Sequence, residues 1–442
     1  MAKNFIEKVP FQFKHGLYDI FSNENQKYFF HYKEVDKKGK YLYWDQFKWR
    51  VEENDDALIA WYAVKSARMN GRKSLHLQDK RDNFFNYSIP GILQEKIYQI
   101  MEFSRVGIVP ENSVGNAYLC SSLLIEEAIH SSQLEGASTT RRVAKEMLAS
   151  NRQPQTEDER MIYNNYLLMK KLKTEKDEEL SIDMILEFHK IATQKTAHNN
   201  VVPGCFRNDD EIYIADRDNN VLYEPPSHTQ IVHRMNELCT FANTQLEGVD
   251  FIHPAIKAII LHFMIGYIHP FADGNGRTAR ALFYWYMLKN KYDYFEYISI
   301  SKWLKEAPVK YSKSYQYVEA DDNDLNYFIF YQMDIILRAI DDLHRYLEDK
   351  SREYEVVNSI LKGSSLYQKL NFVQKDILKR AMKNPGSIFT ANEISVDYDV
   401  AINTARTYLT KLVAYEILSP YKKGRTKAYI APANLDETLK AK

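Results

Sequence analysis

The chain has 442 residues, and at roughly 150 residues per domain its length predicts about three domains. Lys and Arg number 59 and Asp and Glu also number 59, so the formal net charge is zero. This balance argues against a highly basic nucleic-acid coat protein and against an acidic tail. Cys120, Cys205 and Cys239 lie far apart with no CxxC pattern. Their spacing argues against a disulfide framework and a structural zinc site, and it favours a reducing, cytoplasmic location.

The first half of the chain carries both hairpin and helix signals. Aromatic clusters on both sides of the polar turn 36–40 predict a short hairpin over 28–44. We derive no role for residues 1–110. Apolar residues recur with a helical period over 117–134, and Gly136 just beyond the last turn predicts the end of that helix.

The centre of the chain is predicted to be helical apart from one hairpin. Two strand-like runs, 211–214 and 221–223, flank a polar turn and predict this hairpin. The spacing of Ser227 and Gln230 then predicts a capping box at the start of the next helix. The predicted helices that follow are 255–268, 278–289 and 325–349. At 14 residues, the most apolar of these is too short to span a membrane, and we expect no membrane partner.

The C-terminal region has the pattern of a winged helix-turn-helix. Capping boxes at Asn371 and Thr390 start two helices, and a third runs through 404–415. A hairpin with the basic turn 422–427 follows. Residues 371–432 hold ten basic and five acidic side chains, a net charge of +5. This pattern suggests a DNA-binding module, although the same fold also serves as a scaffold or in dimerisation.

The segment between the helices 255–268 and 278–289 has the chemistry of an anion site. Gly274 and Gly276 allow the backbone to approach a ligand closely, and the loop leads into a helix N-terminus, which favours anions. Arg277 and Arg280 lie three residues apart and share one helix face. Two cations at this end of a helix are unfavourable unless an anion binds there. The loop therefore predicts a polyphosphate site, although it is neither a Walker A loop nor a Rossmann fingerprint.

Two further side chains of this loop complete the candidate chemistry. Asp273 would repel phosphates unless a divalent ion lies between them, and Mg²⁺ bound by one carboxylate and phosphate oxygens is the usual arrangement. His269 closes the preceding helix and can accept a proton near neutral pH. The loop thus suggests metal-assisted chemistry on a nucleotide.

The sequence of residues 269–280 resembles the Fic motif, HPFxDGNGRxxR, at every specified position. The resemblance extends over roughly 115–345. It implies a mainly α fold, in which a helical Fic core carries the hairpin 211–223 as a flap that holds the target protein. It also implies transfer of AMP from ATP to a Ser, Thr or Tyr hydroxyl of a target protein, which can be the chain itself.

The resemblance also assigns roles to individual residues. It makes His269 the general base, Asp273 the Mg²⁺ ligand and Phe271 a packing anchor for the loop. The residues that it assigns to nucleotide binding are Gly274, Asn275, Gly276, Arg277 and Arg280. In these roles the glycines and Asn275 would bind the α- and β-phosphates, and the arginines would hold the outer phosphates.

A second segment, 131–136, is similar to the inhibitory motif of the family, (S/T)xxxE(G/N), located before the catalytic motif. Ser131 and Glu135 share a helix face. Because a carboxylate is unfavourable at a helix C-terminus, Glu135 needs a cationic partner. We expect this residue to pair with Arg280 and to keep ATP in an unproductive position. In an alternative role, Glu135 positions water to remove AMP from a modified target.

These observations predict three regions. Residues 1–110 have no assigned role, residues 111–349 form the Fic domain with an inhibitory helix near 117–136, and residues 350–442 form the winged helix-turn-helix. An alternative function is a DNA-binding regulator whose Fic core senses nucleotides. A homodimer is a further expectation.

Four side chains outside the motifs receive only minor roles. We expect His189, His253 and His262 to be packed or capping residues on apolar helices, and Arg207 to help shape the site near the flap.

Overall fold

The computed structural model describes residues 6–10, 25–105, 113–149, 152–196, 201–215, 221–245, 247–361, 369–398, 400–423, 426–432 and 435. The turn of the predicted flap and part of the basic turn of the C-terminal hairpin lie outside these residues. The described chain is mostly helical with small antiparallel sheets, which confirms the mainly α fold class. None of its helices has the length and apolar character needed to cross a membrane.

The helices of the described residues include both short turns and long rods. In chain order they are α1 Gln26–His31, α2 Trp44–Phe47, α3 Ala57–Met69, α4 Gly91–Arg105, α5 Ser113–Leu134, α6 Arg141–Ala149, α7 Glu157–Thr174, α8 Ile182–Thr193, α9 Ile231–Asn243, α10 Pro254–Ile268, α11 Asn275–Lys289, α12 Ile300–Glu306, α13 Pro308–Ala320, α14 Asn326–Leu361, α15 Phe372–Lys383, α16 Ala391–Asp397 and α17 Ile402–Ala414.

The strands form two hairpins and one three-stranded sheet. They are β1 Lys73–Gln78, β2 Phe84–Tyr87, β3 Ile214–Ala215, β4 Val221–Tyr223, β5 Ile388–Thr390, β6 Ser419–Lys423 and β7 Thr426–Ile430. β1 pairs with β2, β3 pairs with β4, and the third sheet has the order β5-β7-β6, with every neighbouring pair antiparallel.

The chain divides into two compact units. The first comprises Met1–Glu102, Lys170–Asp293 and Trp303–Leu337. The second comprises Phe103–Met169, Tyr294–Lys302 and Arg338–Lys442. The predicted domain boundaries near residues 110 and 350 remain a prediction.

The N-terminal residues of the first unit differ from the prediction. The predicted hairpin over 28–44 is wrong, because the turn is flanked by the helices α1 and α2. Tyr28 and Tyr32 lie one helical turn apart and stack at 5.9 Å. The Tyr28 hydroxyl accepts a hydrogen bond from the Asp56 amide, and the Tyr32 hydroxyl donates one to Asp55. Tyr28 lies in α1 and Tyr32 caps its C-terminal end, so the helix brings both rings to the segment around Asp55 and Asp56.

Buried polar contacts join the N-terminal residues to the rest of the first unit. Lys65 Nζ donates to Asp321 Oδ1 at 2.7 Å, and Arg68 Nη1 donates to the Tyr327 hydroxyl at 2.7 Å. The Tyr41 hydroxyl donates to Asp324 at 2.6 Å. Because buried ions need partners, this network anchors residues 25–102 within the same unit as the candidate site.

The centre of the first unit is α10, which is apolar on all faces and almost entirely buried. Pro254 occupies the first helical turn, where its missing N–H costs nothing. The preceding residue, His253, caps the helix by accepting a hydrogen bond from the Ala255 amide at Nδ1, at 3.2 Å. α10 packs along α11, which is also buried. Both helices that flank the candidate loop are therefore fixed by burial.

The C-terminal part of the second unit has three helices and the sheet β5-β7-β6. The predicted capping box at Asn371 is present, with Asn371 and Gln374 each bonded to the backbone of the other. Thr390 caps α16, while the Glu393 side chain pairs instead with Arg380. α15 packs against α5, and α16 packs against α5 and α6. The assignment of this region as a winged helix remains a prediction.

Burial of His253 predicts a pH-dependent stability. Burial lowers its pKa to about 4, whereas the unfolded value is about 6.5. Since only the unfolded state binds the proton between these values, stability is full above pH 6.5 and falls as the pH drops toward 4. At about 1.4 kcal/mol per pH unit, the loss at pH 5 is about 2 kcal/mol.

The matched variant is His253→Asn, because asparagine caps helices well and does not titrate. Urea unfolding at pH 7.5 and pH 5 measures the free energy of unfolding at each pH. Between these two values, this free energy should fall less for the variant than for the parent protein. An equal loss in both proteins would contradict the assignment of the effect to His253.

Candidate functional site: the loop between α10 and α11

The candidate site begins where α10 ends, at His269. This residue has left-handed backbone angles, φ 49° and ψ 57°, and its amide still donates to the Ile265 carbonyl at 3.0 Å. Its Nδ1 lies 3.3 Å from the Gly266 carbonyl. Because a carbonyl can only accept, this contact makes Nδ1 the donor. The lone pair that a base needs is then on Nε2.

Arg207 holds the turn at His269 and the base of the hairpin β3–β4 together. Its Nε donates to the His269 carbonyl at 2.9 Å, and its amide donates to the Pro270 carbonyl at 2.9 Å. Its Nη1 binds Asp210 Oδ1 at 2.8 Å, and its Nη2 donates to the Pro226 carbonyl. The guanidinium therefore fixes the backbone of the predicted base relative to both arms of the hairpin. The sequence suggested a role in shaping the site but not this connection.

The loop after His269 is closed by Asn275. Its Oδ1 accepts from the Phe271 amide at 3.0 Å, and its Nδ2 donates to the Phe271 carbonyl at 2.8 Å. The Phe271 ring is fully buried. Both the backbone and the ring of Phe271 are thus held, and Asn275 acts on the loop from inside the first turn of α11.

Gly274 sits where the loop enters α11. It has φ 83°, a left-handed conformation, and a Cβ at this position would lie 2.6 Å from Thr193 Cγ2. Its carbonyl accepts from the Thr278 amide at 3.0 Å. The amides of Asn275, Gly276 and Arg277 precede that first helical bond, so they have no carbonyl one turn back. This end of α11 is therefore suited to bind an anion.

Two buried arginines follow the loop. The Arg277 guanidinium donates to the Ala192 carbonyl at 2.8 Å and to Asp273 Oδ2 at 2.7 Å. Its Nε is buried and has no hydrogen-bond partner among the described residues. Arg280 is also buried. Burial of His262, together with the charge of Arg280, lowers the pKa of His262 to about 3. Both guanidinium groups are therefore buried near the N-terminal end of α11.

Asp273 is the one carboxylate of the loop, and its side chain is 42% exposed. The described part of the chain has no cluster of three or more His, Cys, Asp or Glu that could hold a metal by itself. A single accessible carboxylate beside an anion site nevertheless fits Mg²⁺, which is commonly bound by one carboxylate, phosphate oxygens and water. The donor set is thus compatible with Mg²⁺ that arrives with a nucleotide.

His189 also reaches the loop, which sequence reasoning missed. The residue is fully buried, as expected, but its Nε2 lies 2.9 Å from the Asp273 carbonyl oxygen and its ring stacks on Phe271. No signal in the sequence connects α8 with a loop more than 80 residues away.

Comparison with known proteins assigns the family of this segment. The family model described as Fic/DOC family matches residues 179–287, a range that includes the hairpin β3–β4, the loop and both arginines. The chain contains a Fic domain.

The matched relatives are protein adenylyltransferases. The one named "Protein adenylyltransferase Fic" from Nematostella vectensis is 26% identical over 153 residues, 32% of this chain and 32% of that protein. The one named "Protein adenylyltransferase fic-1" from Caenorhabditis elegans is 29% identical over 119 residues, 27% of this chain and 21% of that protein. The match therefore spans a third or less of these relatives. A crystal structure of a Fic family protein from Desulfovibrio desulfuricans has a TM-score of 0.49 and 15% identity, covering 78% of this chain and 98% of that one.

The hairpin β3–β4 of the Fic domain is tied to the helix before the loop. Ile214 pairs with Tyr223, and the Tyr223 hydroxyl donates to the Tyr267 carbonyl at 2.6 Å. Lys80, in the β1–β2 turn, donates its amide to the Tyr267 hydroxyl at 2.9 Å and its Nζ to the Glu224 carbonyl at 2.8 Å. The N-terminal residues, which had no predicted role, thus support one arm of the hairpin.

The predicted inhibitory residues Ser131 and Glu135 belong to the second unit, whereas Arg280 belongs to the first. Gly136 is left-handed at φ 101°, and the Ala137 amide donates to the Ser132 carbonyl at 3.0 Å. These features form the end of α5. The pairing of Glu135 with Arg280 remains a prediction.

The close approach of the loop of the Fic domain to α8 predicts the effect of Gly274→Ala. The matched control is Gly71→Ala, because Gly71 has a similar φ of 79° and a Cβ there would meet nothing within 4 Å. In both variants the alanine must adopt a left-handed backbone conformation, which costs about 1 kcal/mol. Only Gly274→Ala also displaces Thr193. We expect a roughly tenfold or greater loss of ATP affinity for Gly274→Ala and little change for Gly71→Ala.

Isothermal titration calorimetry measures these affinities, and thermal unfolding reports the strain separately. Adding Thr193→Ser to Gly274→Ala removes the clashing methyl group and should restore part of the affinity. Equal ATP affinity in the two glycine variants would contradict the conclusion that ATP binding needs the close contact between Gly274 and Thr193.

Proposed function

We propose that this chain is a protein adenylyltransferase, an enzyme that moves AMP from ATP to a Ser, Thr or Tyr hydroxyl of a target protein, including the chain itself. The observation that carries the proposal is the arrangement of His269 and the accessible carboxylate of Asp273 in one loop, followed by two buried arginines at the start of α11. The names of the matched relatives support the same activity.

In this mechanism the target hydroxyl attacks the α-phosphorus of ATP. His269 accepts the hydroxyl proton at Nε2 as the new P–O bond forms, and the bond between the α-phosphorus and its bridging oxygen to the β-phosphate breaks to release pyrophosphate. Such a reaction depends on in-line positioning and charge neutralisation more than on covalent help from the protein. The Nδ1 contact to Gly266 and the backbone hold from Arg207 both orient the imidazole.

The remaining residues of the loop bind the nucleotide. The amide of Gly274, the residue before α11, and the amides of Asn275 and Gly276 in its first turn bind the α- and β-phosphates. Arg277 and Arg280 neutralise the outer phosphates with guanidinium groups that burial has largely stripped of water. Asp273 would hold Mg²⁺, which supplies further charge neutralisation when bound.

Glu135 is proposed to restrain this activity through Arg280. The carboxylate occupies the C-terminal end of α5, where the helix dipole disfavours it. Pairing with Arg280 would remove one clamp on the γ-phosphate. In the second role, the same carboxylate positions water for removal of AMP from a modified target. Its loss would then slow the release of AMP from a target that is already modified.

The test is incubation with α-³²P-labelled ATP and Mg²⁺, followed by gel electrophoresis. We expect Glu135→Gly to incorporate more label than the parent protein. The double variant Glu135→Gly/His269→Ala should lose about 10²–10⁴-fold of that labelling, the usual contribution of a general base.

Each result of this experiment has a distinct meaning. Labelling of Glu135→Gly that does not exceed the parent level would contradict the restraint by Glu135. Absence of label in every protein, with ATP binding shown separately, would contradict adenylyl transfer and favour AMP removal.

A second proposed activity is duplex DNA binding by the C-terminal helices. The observation that favours it is the exposed polar face of α17, formed by Asn403, Arg406, Thr407 and Lys411. Arg406 is supported by a hydrogen bond to Asn403 at 3.1 Å. The neighbouring strands β6 and β7 add Lys422 and Lys427, both exposed. Such a face can contact base edges and phosphates in a major groove.

The charge of this face predicts salt-dependent binding. The affinity for a random-sequence duplex should fall steeply with salt, and Lys411→Ala should reduce the slope of log K against log salt by about one. Fluorescence anisotropy at several salt concentrations measures this slope. Lys310→Ala, which removes an exposed charge from α13 in the other unit, is the control and should leave the slope unchanged. No binding at low salt would refute the proposal.

A further inference from the structure

His189 is held in one tautomer by two main-chain groups. The Gly204 amide donates to its Nδ1 at 3.0 Å, and Nε2 lies 2.9 Å from the Asp273 carbonyl oxygen. Because an amide N–H can only donate and a carbonyl can only accept, Nδ1 carries the lone pair and Nε2 carries the proton. The imidazole is therefore a neutral bridge between the segment that leads to the hairpin β3–β4 and the nucleotide loop.

The same ring contacts the loop in two other ways. It lies parallel to the Phe271 ring, with 3.7 Å between centroids and 3° between planes. A Cβ on Gly274 would approach its Cδ2 to 3.1 Å. The main chain from Phe271 to Gly274 thus runs over the ring, and burial lowers the pKa of His189 to about 4.

The last turn of α8 provides a second support for the same loop. The Ala192 carbonyl accepts from Arg277, which in turn binds Asp273 Oδ2. The Thr193 hydroxyl donates to the His189 carbonyl at 2.8 Å. Asp273 is therefore fixed at its carbonyl by the His189 ring and at its carboxylate by Arg277, and both supports rest on α8. Two such constraints determine the direction of the carboxylate.

We propose that His189 is a positioning residue of the nucleotide site, which acts through the main chain of Asp273 to direct its carboxylate toward the metal of a metal–nucleotide complex. This inference rests on the proposed function for the identity of the ligand. It predicts that His189 matters more for binding of the nucleotide with Mg²⁺ than without it. Partners that orient metal ligands in this way typically contribute 10–100-fold in metal affinity.

Two substitutions separate this role from simple packing. His189→Gln places an amide N–H near the Nε2 position and can still donate to the Asp273 carbonyl. His189→Asn is shorter and can retain only the acceptor near Gly204. His253→Asn, which changes a buried histidine that caps α10, is the control for general effects on the fold.

Isothermal titration calorimetry with a non-hydrolysable ATP analogue, over a series of Mg²⁺ concentrations, measures the effect without any turnover. Mg²⁺ is expected to increase the affinity for the analogue, and half of this increase is reached at a characteristic Mg²⁺ concentration. We expect His189→Asn to raise that concentration by at least about tenfold. His189→Gln and His253→Asn should stay within about threefold of the parent protein. Affinity for the analogue without Mg²⁺ should change little in all three, and thermal unfolding will show that each is folded.

A double-mutant cycle tests whether the effect passes through Asp273. In an Asp273→Asn background, His189→Asn should cause no further change in Mg²⁺ dependence. The inference is overturned if the Gln and Asn variants are equally impaired, if affinity falls equally with and without Mg²⁺, or if the double variant is additive. Failure of AMP transfer in the Glu135→Gly variant, with normal Mg²⁺-dependent binding in the parent protein, would refute the proposed function alone.

Discussion

The left-handed turn at His269 is the constraint on which the candidate site depends. α10 is apolar on every side and can only run through the core, and Pro270 stops it. The chain leaves the helix through a backbone conformation that is unfavourable for a side chain other than glycine. Arg207 stabilises this turn by bonding the carbonyls of both His269 and Pro270. The direction of the imidazole and the start of the loop follow from that one turn.

The buried charge of Arg277 beside the loop is compensated by groups from two helix ends. Arg277 is buried at the N-terminal end of α11, where the helix dipole disfavours a cation. The C-terminal end of α8 compensates in part, because the Ala192 carbonyl accepts from the same guanidinium. Asp273 supplies the opposite charge, and a bound polyphosphate would supply more. The meeting of two helix ends of opposite polarity thus holds a cation in place before the ligand arrives.

Local patterns were predictable from the sequence wherever neighbours along the chain decide the structure. The capping box at Asn371 and the end of α10 before Pro270 are local, and both are present. The capping box at Ser227 is absent, because the Ser227 hydroxyl donates to Asp210 instead. Helix α1 was missed because Tyr28 in the helix and Tyr32 at its end bond to residues more than twenty positions away. Side-chain bonds across the fold override local preference in such cases.

The candidate site shows the same division between local and distant information. The residue types in 269–280 indicated an anion site without any structure, since glycine, carboxylate and guanidinium groups are readable in one segment. His189 and Lys80 were not predictable as supports, because their roles consist of bonds to carbonyls that have no side-chain identity. Arg207 lies between these cases: its proximity to the hairpin was readable, but its bond to the His269 carbonyl was not.

The end of α5 shows how the backbone that leads to Glu135 is held. The left-handed Gly136 and the Ala137 amide close the helix, and Asn165 donates to the Ser132 hydroxyl at 2.7 Å. The backbone just before Glu135 is thus fixed within its own unit, where α15 and α16 also pack against α5. In the proposed restraint, the degree of inhibition by Glu135 would therefore depend on the position of a whole packed helix rather than on a flexible loop. A substitution in that packing would then change nucleotide binding without touching any residue of the nucleotide loop.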